Sequence, residues 1–81
     1  MDRGKEITAR FLDCYKELEE IGSTTSYKFC TDIGADRRNF DKLLRTPTRH
    51  LLRPEWLAGL VLAYGVNADW LLTGRGLKFG L

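Results

Sequence analysis

The sequence predicts an all-α domain, five short helices around one core, and three observations carry that prediction. Apolar residues recur at intervals of three and four along most of the chain, the spacing of a buried helix face. No segment alternates apolar and polar residues with a period of two, so strands are not expected. Gly22, Gly34, Gly65, Gly74 and Pro54 punctuate the chain at the spacing of short helices. A hydrophobic content of 43% and a charged content of 30% suit a globular chain rather than a disordered one. At 81 residues it buries about 60–65% of its unfolded surface, enough for a single domain spanning 1–81.

The first helix is expected from Lys5 to Ile21, where Ile7, Phe11, Cys14, Leu18 and Ile21 share one face and Gly22 supplies the stop. Ser23, Thr24, Thr25 and Ser26 then offer hydroxyl caps to a second helix, Ser26 to Ile33, with Phe29 and Ile33 as its apolar pair. Gly34 breaks that helix. A third runs from an Asp36 cap to Arg45, with Phe40, Leu43 and Leu44 inward. At 100° per residue, Arg38, Lys42 and Arg45 fall on its opposite face, and Arg37 lies at its tip. Pro47 blocks continuation, and Thr46 to Arg53 form a loop. Pro54 opens the fourth helix, whose core stripe is Leu57, Leu60, Val61 and Tyr64, and Gly65 ends it. Asn67 caps a last short helix holding Trp70 and Leu71, and residues 77–81 form a partly apolar tail.

The net charge of +2 conceals an uneven distribution. From Arg37 to Arg53, six basic residues stand against the single acid Asp41; from Asp13 to Glu20, four acids stand against Lys16. A basic segment of this kind is the footprint of a polyanion-binding surface, although a solvated face carries charge too. No apolar run approaches the ~20 residues of a membrane span. Met1 to Glu6 lead into an amphipathic segment rather than a signal peptide, so a cytoplasmic location is expected. Cys14 and Cys30 lack CxxC spacing and read as reduced core residues; with His50 they lack a fourth metal ligand. His50 has no positioned partner for catalysis, and Trp56 and Trp70 read as core residues rather than stacking platforms for single strands. Neither a catalytic residue, a metal, a cofactor nor a small-molecule ligand is expected.

Residues 26–45 meet several constraints at once. Two helices crossing through a turn of a few residues need a residue that tolerates positive φ, here Gly34. They also need a small residue at the crossing, here Cys30, and an inward apolar pair, here Phe40 and Leu43. Phe29, Ile33 and Ala35 fill the angle. The stretch from Ser26 to Leu44 resembles the helix-turn-helix of the lambda repressor/Cro-like (XRE-type) family, and Asp69-Trp70-Leu71-Leu72-Thr73-Gly74 is similar to the end of that family's five-helix domain. The resemblance covers about residues 7–76.

It implies a DNA-binding transcriptional regulator of the repressor type, reading the major groove of double-stranded DNA with helix 36–45. Arg37, Arg38 and Lys42 match base-reading positions; Ser26, Lys28, Asn39, Arg45 and Arg49 match positions near phosphates. Arginine forks suit guanine O6 and N7, so a G-containing half-site is expected. Asp41 either pairs with Arg37, Arg38 or Arg45, or accepts from a cytosine amine. A homodimer on DNA, addressing half-sites about 34–36 Å apart, is implied, with Leu62, Leu77, Phe79 and Leu81 as its candidate contact and the nucleoid as its place when bound. The chain departs from the pattern where Thr46-Pro47 replaces a glycine after the third helix, where the loop to Arg53 is longer, where Cys30 replaces alanine, and where Ser26 replaces glutamine. The rival reading is a helical protein-interaction module of antitoxin or anti-repressor type.

Overall fold

Over residues 3–47 and 52–80, which the computed structural model describes, the chain folds into five α-helices. They are α1 (Arg3–Glu20), α2 (Ser26–Ile33), α3 (Arg37–Arg45), α4 (Pro54–Tyr64) and α5 (Ala68–Thr73). The caps follow the side chains that favour them. Thr25 accepts from the Lys28 amide ahead of α2, Asp36 from the Arg38 amide ahead of α3, and Asn67 from the Asp69 amide ahead of α5.

The inward face of α1 is wider than the spacing predicted, because Thr8, Leu12 and Tyr15 are buried alongside Phe11, Cys14 and Leu18. Thr8 satisfies its hydroxyl on the Gly4 carbonyl at 2.9 Å. Ile21 departs from expectation: the helix ends at Glu20, the chain turns through Gly22 at φ +77°, and Ile21 is left 67% exposed. On α4 the buried pair is Trp56 and Leu60, whereas Leu57, Val61 and Tyr64 are only half-buried.

At the centre lies an aromatic cluster drawn from four helices. Phe29 of α2 meets Tyr15 (ring centroids 4.8 Å), Phe40 (5.4 Å), Tyr64 (5.5 Å) and Phe11 (5.8 Å). Phe40 of α3 also meets Tyr15 edge-on at 5.0 Å and Trp56 at 6.4 Å. Cys14 and Cys30 are buried free thiols, and burial pushes the Cys14 thiol up to about 12, so it stays protonated.

Helix α4 approaches α2 closely at Gly59. A Cβ there would lie 2.6 Å from the Ile33 Cα and 2.7 Å from its carbonyl oxygen, both backbone atoms that cannot rotate aside. Gly59→Ala gains about 1 kcal/mol of helix propensity. Forcing the helices apart costs about 1–3 kcal/mol or more. The variant is therefore expected to unfold at lower urea concentration than the parent; an equal or higher midpoint would refute the close approach.

The tail folds back on the molecule. The Asn67 amide donates to the Lys78 carbonyl and the Gly80 amide to the Gly65 carbonyl, each at 2.9 Å, around an antiparallel bridge between Val66 and Phe79. Phe79, expected in the dimer contact, is half-buried against its own core; Leu77 remains exposed and Leu81 lies outside the described residues. Lys78 lies over the Trp70 ring and reaches Asp13 (2.6 Å) and Glu17 (2.8 Å) of α1. On the same side of α1, Arg10 donates to the Leu71 and Leu72 carbonyls at 2.8 and 3.1 Å, closing the C-terminal end of α5.

Candidate nucleic-acid interface

The short connection between α2 and α3 is built from backbone chemistry. Gly34 takes the left-handed conformation at φ +73°, the Ala35 amide donates to the Cys30 carbonyl at 2.8 Å, and Asp36 then caps α3. Behind α3, Phe40 and Leu43 are fully buried, and Leu44 is half-buried against the same core. That inward pair fixes the rotation of α3 about its axis, and the rotation decides which residues face outward.

The outward residues are Arg37, Arg38, Lys42 and Arg45, all exposed. Among the described residues none of the four spends its cationic group on an ion pair or hydrogen bond. The single contact of this kind is a ring: the Arg37 guanidinium carbon sits 5.5 Å from the centre of the Tyr27 ring. Asp41 is half-buried on the flank and makes no ion pair with Arg37, Arg38 or Arg45, contrary to the intrahelical bridge that its spacing allows. The result is a short helix with four unspent cations within nine residues.

The other expected contact residues are distributed less evenly. Ser26 begins α2 and is half-buried, with its hydroxyl beside the Tyr15 phenol. Asn39 is half-buried on α3. Lys28 is exposed but engaged: it pairs with Asp32 at 3.0 Å, and Asp32 also accepts the Tyr64 hydroxyl at 2.6 Å. The Tyr64 bond first, then the Lys28 ammonium, hold the Asp32 carboxyl below its ordinary range. A phosphate contact by Lys28 would share its ammonium with Asp32, which offsets part of its charge. Arg49 and His50 lie outside the described residues. Trp56 is buried and Trp70 half-buried under Lys78, so neither offers a free ring face.

Sequence spacing did not single out Tyr27. Its partner Arg37 lies ten residues on, across a turn, and no helical periodicity links two such positions. The available signal was a large aromatic side chain at a helix start that belongs to no apolar stripe. Elsewhere, Leu57, Val61, Leu62, Leu71 and Leu72 line an open apolar groove between α4 and α5, with Leu62 85% exposed. Among the described residues no group of acidic, cysteine or histidine side chains is arranged to hold a metal ion, and no helix is long and apolar enough to cross a membrane.

Comparison with protein-family models, curated proteins and solved structures finds no match to this chain.

Proposed function

We propose that this chain is a sequence-specific double-stranded DNA-binding transcriptional regulator of the repressor type, in which residues 26–45 act as a helix-turn-helix and α3 enters the major groove. The observation that carries the reading is the state of α3: its outward cations Arg37, Arg38, Lys42 and Arg45 are exposed and form no ion pair with a described residue, while Phe40 and Leu43 anchor the same helix from behind. A solvated helix face ordinarily mixes signs and pairs them along the helix. Here the sign is single and the charges are left for a partner. A purely protein-binding module has no need of such a face, whereas a polyanion does.

In this reading Arg38 and Arg37 offer two-pronged donors to guanine O6 and N7, and Lys42 a point charge one turn on. Arg45, near the helix end, meets the phosphate backbone. The start of α2, at Ser26, presents its free amides to a second phosphate. One such helix makes few base contacts, so specificity calls for two half-sites and a homodimer. The groove between α4 and α5, with Leu62 at its rim, is the apolar surface available for that contact.

Selection of bound duplexes from a random pool tests the proposal. The expected product is a G-containing half-site, repeated at about one helical turn (34–36 Å). Arg38→Ala should relax one position of it, with a loss of about 1–3 kcal/mol of discrimination there. Affinity should fall with salt, by about 0.9 in log K per log unit for each phosphate neutralised. A folded protein that enriches no duplex even in dilute buffer would sink the reading and leave the protein-interaction module as the better one.

A further inference from the structure

The Tyr27–Arg37 contact lies outside the buried core. Tyr27 is 65% exposed, lies outside the aromatic cluster, and its hydroxyl bonds to no described residue. Arg37, the first residue of α3, turns its guanidinium back across the connection onto the ring at the start of α2, so the two helix starts are joined by their side chains. A contact with a ring occupies no hydrogen-bond acceptor, and the five-donor guanidinium keeps N–H groups for another one. An unanchored arginine must give up rotamer freedom when it settles on a base, and one already held gives up less.

We propose that Tyr27 is a positioning residue for base recognition: it holds Arg37 toward α2, so that Arg37 reads a guanine on that side of the half-site, separate from the bases read by Arg38 and Lys42. The inference rests on the assignment of α3 as the duplex-reading helix. It makes specificity at one base pair depend on a residue of α2. Because the ring carries no charge, Tyr27 sharpens the preference for a sequence without adding to the salt-dependent attraction.

The test repeats the random-duplex selection with Tyr27→Ala, Tyr27→Phe and Arg37→Ala. Tyr27→Ala is expected to weaken the preference about two- to fivefold, the range of an exposed cation–π contact, and only at the position that Arg37→Ala relaxes. Tyr27→Phe keeps the ring and should keep the preference, and both Tyr27 variants should keep the parent's salt dependence and thermal midpoint. The inference is overturned if Tyr27→Ala leaves that position unchanged, weakens all positions alike, or behaves as Tyr27→Phe does; in each case DNA binding itself stands. A proton spectrum of the free protein supplies the DNA-independent arm. Arg37 side-chain resonances displaced by the ring current should return to ordinary positions in Tyr27→Ala, and their absence from displaced positions in the parent would remove the contact. A parent that selects no duplex would overturn both the assignment of α3 and this inference.

Discussion

Phe29→Ala is expected to remove a large part of the protein's stability, about 3–5 kcal/mol. The side chain is fully buried and its ring touches aromatic partners from α1, α3 and α4. Truncating a buried phenylalanine costs about 3–5 kcal/mol, the transfer loss plus the cavity left behind. A domain of this length holds about 4–12 kcal/mol in total. The cavity opens between α2 and α3, behind the outward cations, so duplex affinity should fall although no group facing solvent has changed. Urea unfolding followed by tryptophan fluorescence gives the stability, and adding a selected duplex should restore part of it by mass action. A loss below about 1 kcal/mol would mean that the cluster closes over the gap and that the rings do not set the helix positions.

The combined variant Arg37→Ala/Arg38→Ala/Lys42→Ala is expected to behave in the opposite way, keeping the fold and losing the duplex. All three side chains are exposed, and none is in an ion pair or hydrogen bond with a described residue, so stability should change little. Removing them also relieves repulsion among like charges on one short helix. For DNA the loss should be about a hundredfold or more, since each good two-pronged base contact is worth about 1–3 kcal/mol. Anisotropy of a labelled duplex at two salt concentrations measures both the loss and its salt dependence. A variant that binds as tightly as the parent would place the contact on another face.

The helices themselves were legible because their ends are written in single residues. Thr25, Asp36 and Asn67 cap where their hydroxyl, carboxylate and amide oxygens allow, and Gly34, Gly65 and Gly74 close helices by adopting positive φ. Helix α3 was legible in rotation as well, because its apolar and charged residues divide sharply. Helix α4 was not. It is apolar nearly all round from Trp56 to Tyr64, so periodicity cannot choose a face, and the close approach of Ile33 at Gly59 helps to fix one. Local spacing is equally silent about contacts between distant segments. Nothing near Phe79 shows that it packs against the core, and nothing near Asp41 shows that its neighbouring arginines form no ion pair with it.

Lys78 bears on how the molecule meets a charged partner in solution. The stretch from Asp13 to Glu20 is strongly acidic along the chain, yet a single ammonium from the folded-back tail sits between two of its four carboxylates. At a distance that ammonium offsets one of the two charges, whereas within α3 four cations stand against Asp41 alone. If α3 is the polyanion-binding helix proposed above, this uneven distribution favours the approach of a polyanion to that side. Association should then be fastest in dilute salt and slow as ions screen the field. Abolishing the clasp with Lys78→Met would restore the repulsive side and slow capture, even with every group on α3 unchanged.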